Sequence, residues 1–260
     1  MQQQGQITDK GIEYPDRAKI AIERLQQFEP PEGYYLAFSG GKDSVVIYDL
    51  AVKSGVKFDA HYNLTTVDPP ELVQFIKREY PDVEIHRPDK TMWQLIVENG
   101  MPPTRLVRYC CRVLKERGGH GRVTVTGVRW AESVRRKNRR MIENCLNDGT
   151  KTFLHIILDW SDEDVWSYIK TNKVKYCKLY EEGFKRLGCV MCPMGNTIQM
   201  LQHAERFPAI YRAYLRAFDK MLIARTERGL KNNWKSGQDV MDWWIYNPPK
   251  GDPDQGVLFE

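Results

Sequence analysis

Tyr34-Tyr35-Leu36-Ala37-Phe38-Ser39-Gly40-Gly41-Lys42-Asp43-Ser44-Val45-Val46-Ile47-Tyr48-Asp49-Leu50-Ala51 is the stretch that decides the fold. Its first five residues, apolar and rich in aromatics, read as a buried strand; Val45 to Ala51 read as a helix that stops near Gly55. The loop between them carries two glycines, a lysine, an aspartate and two serines. Glycine there permits unusual dihedrals and close approach of backbone. The N–H groups at a new helix start cradle phosphate. Lys42 neutralises that charge, and the hydroxyls of Ser39 and Ser44 donate to its oxygens. The loop is shorter than a Walker loop, which has four residues between its glycines, and it lacks the glycine spacing of the dinucleotide fingerprint.

The flanking chain repeats this alternation. Pro15 to Phe28 has the apolar spacing of an amphipathic helix, and residues 1–14 read as a loose arm. Strands are expected over 58–64, 83–86, 123–128 and 153–158, with helices opened by Pro69-Pro70-Glu71 and spanning 90–98. Strands alternating with helices predict an α/β fold with a parallel sheet covered on both faces. From Ser161 the strands largely stop. Ser161-Asp162-Glu163-Asp164 has the form of a helix cap, a helix spans 204–230 with an interruption near Pro208, and the tail from Asn247 is irregular. Two parts are therefore expected. Residues 1–160 form an α/β core that carries the glycine loop and a first cysteine pair, and 161–260 a mainly helical extension with a second pair and a basic helix.

Composition limits the classes. The chain has 260 residues, 42% hydrophobic and 28% charged, a globular mix that excludes a fibre or a largely disordered chain. No stretch approaches 18 uncharged apolar residues, so no membrane span is expected. Met1 to Gln6 lacks a signal pattern, and a cytoplasmic location is expected. There the six cysteines are thiols or metal ligands. A net charge of 39 − 34 = +5 permits phosphate-rich ligands without requiring nucleic acid.

Cys110-Cys111 and Cys189-Val190-Met191-Cys192 are the sharpest feature after the glycine loop. A Cys-x-x-Cys alone is a redox pair, half a zinc site or chance. Four thiolates suit either a tetrahedral zinc ion or an iron–sulfur cluster, and adjacent cysteines converge awkwardly on one small ion. Cys145 and Cys177 read as buried small side chains. In Gly127-Val128-Arg129-Trp130-Ala131-Glu132-Ser133, Arg129 has the fork for a phosphate or a carboxylate; Glu132 is suited to hold Mg²⁺ or to orient Arg129. Arg212, Arg216 and Lys220 recur every four residues and share one helix face. That face is solvated, a docking surface for DNA or tRNA, or one for an acidic protein partner.

Leu36 to Ser44 resembles the pyrophosphate loop of the adenine nucleotide alpha-hydrolase, or ATP pyrophosphatase, superfamily. Within it, residues 30–195 resemble the phosphoadenosine phosphosulfate reductase family. The resemblance implies a Rossmann-like parallel sheet of the HUP type. It places the phosphate or sulfate end of ATP or adenylyl sulfate on Ser39, Gly40, Gly41, Lys42, Asp43 and Ser44, and adenine near Leu64. Asp68, in Thr65-Thr66-Val67-Asp68, takes the place of the family's second acidic loop. Gly127, Arg129, Glu132 and Ser133 match the motif that faces the nucleotide, which makes Lys42, Asp43, Arg129 and Glu132 the expected catalytic set. Cys110, Cys111, Cys189 and Cys192 match the ligands of one [4Fe-4S] cluster in the adenylyl-sulfate reductases. No cysteine follows Cys192, so the catalytic carboxy-terminal cysteine of those reductases is missing.

The leading expectation is an iron–sulfur, ATP-dependent adenylating or pyrophosphatase-type enzyme, assisted by Mg²⁺, that acts in sulfur transfer, with nucleic acid a candidate acceptor. The alternatives are reduction of adenylyl or phosphoadenylyl sulfate, and a non-enzymatic nucleotide-binding subunit. The expected partners are an adenine nucleotide, a sulfur-donor protein or thiol reductant, a DNA or tRNA acceptor and a second copy of the chain as a homodimer.

Overall fold

The computed structural model describes residues 6–8, 11–13, 16–145 and 148–246. In chain order its strands and α-helices are β1 (Gln6–Thr8), β2 (Gly11–Glu13), α1 (Arg17–Gln27), β3 (Tyr34–Ala37), α2 (Lys42–Ser54), β4 (Phe58–Asn63), α3 (Pro70–Glu79), β5 (Glu84–His86), α4 (Met92–Asn99), α5 (Tyr109–Leu114), β6 (Val123–Val125), β7 (Ile142–Asn144), β8 (Thr152–Leu154), α6 (Asp162–Thr171), α7 (Thr197–Arg206), α8 (Pro208–Glu227) and α9 (Gly237–Tyr246).

Six strands form one sheet in the order β5-β4-β3-β6-β8-β7. All neighbours are parallel except β7 against β8. The chain starts this sheet at its centre with β3, runs outward through β4 to β5, and returns to β6 on the other side. The carboxyl ends of β3 and β6 are thus neighbours at a topological switch point, where open parallel sheets bind ligands. β3 feeds the glycine loop there, and β6 feeds Gly127 and Arg129.

The register separates two kinds of face. Tyr34 and Leu36 of β3 align with Phe58 and Ala60 of β4, and Leu36 with Val125 of β6. These side chains form one apolar face, from which the Tyr34 hydroxyl donates to Leu25 O on α1 at 2.7 Å. α2 lies between α1 and α6, and its Val45, Val46, Ile47 and Leu50 are fully buried. α8 packs between α4 and α9 through Tyr214, Ala217, Phe218 and Met221. No helix of the described residues is long and apolar enough to cross a membrane.

Several sequence expectations need correction. β1 and β2 pair as an antiparallel hairpin within the arm expected to be loose; three-residue strands are too short for periodicity to reveal. The strands expected at 123–128 and 153–158 end at Val125 and Leu154. Gly127 leaves the ladder to meet α2, so closely that a Cβ there would lie 2.9 Å from Asp43 Cβ. The helix expected over 204–230 breaks at Phe207, next to the expected interruption, but its first part begins earlier, at a capping box between Asn196 and Gln199, and its second part ends at Glu227. The cap at Ser161–Asp164 is present as expected. The irregular tail from Asn247 lies outside the described residues.

His155, just past β8, is 2% exposed and shares a 2.6 Å hydrogen bond with Thr126 Oγ1. Burial lowers its pKa from 6.5 to about 4. A histidine depressed in the folded state leaves stability intact above its unfolded value and loses it as pH falls from about 6.5 toward 4, at up to about 1.4 kcal/mol per unit. Urea midpoints from pH 7 to pH 4.5 should therefore fall more steeply for the parent than for His155→Gln. Parallel curves would remove His155 from the acid response.

Candidate functional site

The glycine loop is built so that backbone, not side chains, faces its ligand side. Gly40 has φ +70°, and a Cβ on it would strike Leu72 Cδ1 at 2.7 Å and Ile76 Cδ1 at 2.8 Å on α3. Gly41 caps α2 without any side-chain cap. Ser44 Oγ donates to Gly41 O at 2.9 Å, and Ser39 Oγ to Ser44 Oγ at 3.2 Å. The Asp43 and Ser44 N–H groups meet no protein acceptor among the described residues. A helix start of this kind attracts anions through its N–H groups and its dipole.

Charge behind the loop is balanced within the protein. Lys42, 8% exposed, lies 3.3 Å from both Asp43 Oδ2 and Asp162 Oδ1. Arg129 is 1% exposed; it donates from Nε to Asp43 Oδ1 and from Nη2 to Asp162 Oδ1, both at 2.7 Å, and from Nη1 to Trp160 O at 3.1 Å. Burial works against the Arg129 charge, but Asp43 and Asp162 overcome it and raise its pKa. Partial burial likewise opposes ionisation of Asp162, yet Arg129 and Lys42 hold its carboxyl below the usual range. The arginine that sequence placed on phosphate thus has a protein acceptor on each of its three nitrogens, and it fixes Asp43 at the loop. Glu132 accepts from the Arg129 backbone N–H at 3.0 Å and pairs with Arg136. Ser133 accepts from Arg136 N–H at 3.3 Å between two 3₁₀ turns.

Leu64 continues the β4–β5 ladder through its N–H to His86 O at 3.0 Å. Asp68 turns back to accept from Thr65 N–H at 2.6 Å. The same segment touches the cysteines: Val190 N–H donates to Val67 O at 2.8 Å, and Cys189 Sγ lies 3.4 Å from Thr65 Oγ1.

Cys110 and Cys111 open the short α5, which follows Arg108. The Cys189–Cys192 turn has Met191 at φ +55° and is held by His203 Nδ1, which accepts from Met191 N–H at 2.9 Å, and by Tyr214, whose hydroxyl donates to Val190 O at 3.3 Å. Arg105 joins the two segments by donating to Pro193 O at 3.2 Å and Gly195 O at 2.9 Å. Cys111 is held thiolate-prone, first by a hydrogen bond from Cys110 and then by Arg108 and Lys115. That bond, with burial, pushes Cys110 up. Cys189, followed by Cys192 and Cys111, raises the Lys115 pKa, so one cation serves thiols from both segments. Among the described residues no three of the four sulfurs lie within 4.8 Å of one another, wider than the roughly 3.8 Å between thiolates on tetrahedral zinc. Cys177 is buried in the core as expected, and Cys145 is half-buried.

Sequence reasoning did not single out Tyr180. Its hydroxyl accepts from Lys42 N–H at 2.7 Å, which links the segment before the second cysteine pair to the phosphate loop. A tyrosine has no motif value on its own, and only the fold brings it there from 138 residues away. Arg212, Arg216 and Lys220 are all exposed along one face of α8.

Comparison with known proteins follows this geometry. A family model described as the phosphoadenosine phosphosulfate reductase domain matches residues 33–195. An uncharacterized protein of Methanocaldococcus jannaschii is 32% identical over 230 residues, which is 82% of this chain and 52% of that protein; the chain spans about half the length of this relative. A probable FAD synthase of Schizosaccharomyces pombe is 26% identical over 193 residues, 70% of each chain. The crystal structure of phosphoadenylyl-sulfate reductase from Candida auris, a phosphate complex, superposes with a TM-score of 0.50 at 18% identity, covering 65% of this chain and 87% of that one. The shared fold is the Rossmann-like HUP type expected from the sequence.

Proposed function

The chain belongs to the phosphoadenosine phosphosulfate reductase domain family, and from that premise we propose that it is an iron–sulfur enzyme that cleaves ATP between its α and β phosphates during sulfur transfer. The observation that carries this reading is the uncapped start of α2 at the switch point, with Lys42 beside it. The Asp43 and Ser44 N–H groups would take phosphate oxygens, and Lys42 would offset their charge. Arg129 acts as a positioning residue, because it holds Asp43 against the loop. An acceptor oxygen attacks the α phosphorus and pyrophosphate leaves. Negative charge grows on the departing oxygens, where preorganised donors stabilise the transition state most. Mg²⁺ accompanies the triphosphate. Similarity to a probable FAD synthase supports adenylyl chemistry on this fold.

Cys110, Cys111, Cys189 and Cys192 would hold the cluster. The stitching by Arg105 and the nearby cation Lys115, which serves thiols of both segments, suit an anionic group held by both cysteine pairs. A cluster bound there would supply the sulfur that takes the place of AMP on the adenylated acceptor as AMP leaves. The exposed basic face of α8 favours a nucleic acid acceptor.

Anaerobically purified protein, given ATP together with a tRNA or DNA acceptor and, separately, adenylyl sulfate, should release pyrophosphate and AMP from ATP. Sulfite from adenylyl sulfate, with no pyrophosphate from ATP, would establish the reductase reading instead. No turnover of either nucleotide despite tight binding would make the chain a binding subunit.

A further inference from the structure

Asp59-Ala60-His61-Tyr62-Asn63 and Glu84-Ile85-His86 both alternate polar with apolar residues. On adjacent parallel strands that alternation gathers every polar residue on one face, since His61 aligns with Glu84 and Asn63 with His86. Faces of parallel sheets are ordinarily apolar. Here the face opposite Tyr34 and Leu36 carries Asp59, His61, Glu84 and His86, and the nucleotide chemistry uses none of them.

These side chains are organised around nitrogen and oxygen lone pairs. Arg122 grips Asp59 with two hydrogen bonds of 2.7 and 2.5 Å. Asp59 in turn accepts a hydrogen bond from His61 Nε2–H. That fixes the tautomer and leaves the Nδ1 lone pair facing inward, the carboxylate–histidine arrangement that stands behind metal ligands. Tyr35 stacks flat on the same ring, 4.1 Å between centroids and 5° between planes, so the imidazole is held in orientation. His61 Nδ1 lies 2.7 Å from His86 Nε2 and 3.4 Å from Glu84 Oε2, and His86 Nδ1 lies 3.6 Å from Glu84 Oε1. One donor atom from each residue falls within a 4.8 Å sphere of separation. His61 is buried, His86 is half-buried and Glu84 is exposed, which gives the site a rigid floor and an open side.

We infer that His61, Glu84 and His86 form a binding site for a divalent transition ion of borderline softness, such as Zn²⁺ or Fe²⁺. Two imidazoles and one carboxylate with an open position suit such ions, and the absence of sulfur donors from the set disfavours soft ones. The ion would tie β4 to β5 at the place where the chain leaving the first cysteine pair is sewn down. Asn63 donates to Lys115 O at 3.0 Å and to Arg117 O at 3.1 Å, and Arg117 donates to Arg87 O at 3.3 Å. The site therefore clamps the strands that carry the segment following Cys110 and Cys111.

The test is titration of the full, anaerobically purified chain with Co²⁺. It is read by d–d absorption and by X-ray absorption for the ligand type. One equivalent should bind with a shell of nitrogen and oxygen only. Asp59→Asn should weaken that binding about 10–100-fold, and His86→Ala should weaken it at least as much. Nucleotide affinity should stay unchanged in His86→Ala, which shows that this variant is folded. Co²⁺ bound only by thiolates, no Co²⁺ bound by the folded parent, or equal affinity in His86→Ala would each overturn the assignment and leave a proton-sharing histidine pair.

Discussion

Arg129→Met is expected to lower folding stability by about 3 kcal/mol, because it strips the partner from carboxylates arranged around a buried cation. Asp43 and Asp162 would each lose a 2.7 Å bond and Trp160 O its donor, while both carboxylates would keep Lys42. Since Asp162 is largely exposed and Asp43 only partly buried, the loss belongs at the lower end of what breaking a buried pair costs. Lys42→Ala should behave differently. Its ammonium is not the hub of the network, so stability should change little while nucleotide affinity falls about 10–100-fold, the worth of one hydrogen bond to a charged group. Urea unfolding and calorimetric titration on both variants separate the roles. An Arg129→Met protein that is fully stable yet blind to nucleotide would mean that the guanidinium meets phosphate directly.

Cys111→Ser should give the second large effect, loss of the iron group together with the order it imposes. Iron should fall from about four atoms per chain to near none, and amide exchange should speed up at Cys189–Cys192. That turn would then rest on hydrogen bonds such as those from Val190 to Val67 O, from Met191 to His203 and from Tyr214 to Val190 O. A variant that retains full iron would remove Cys111 from the ligand set, and one stoichiometric zinc in the parent would replace the cluster with a single ion.

The strand, loop and helix at Tyr34–Ala51 were legible because everything that specifies them is local: an apolar run, two glycines and a helix stop at Gly55 with φ +74°. The cysteine pairs were legible as chemistry, and their meeting was legible only through resemblance. What sequence could not supply was choice of partner. Nothing local tells that Arg129 turns to Asp162, 33 residues on, rather than to a ligand. Tyr180 and Arg105 act through long-range contacts to backbone atoms, which leave no pattern in composition. β7 has three residues and α5 six, too few for periodicity to rise above chance. The polar alternation at Asp59–Asn63 was visible in the sequence, but it gains meaning only when β5 sets Glu84 and His86 beside it.

The most direct test of the shared nucleotide and cluster centre is diffraction at the iron edge from a crystal grown anaerobically with an ATP analogue that resists α–β cleavage. The expected map has a triphosphate on the Asp43 and Ser44 N–H groups beside Lys42, and an iron anomalous peak among Cys110, Cys111, Cys189 and Cys192. Nucleotide density away from the Ser39–Ser44 loop, or no iron signal at the four cysteines, would contradict it.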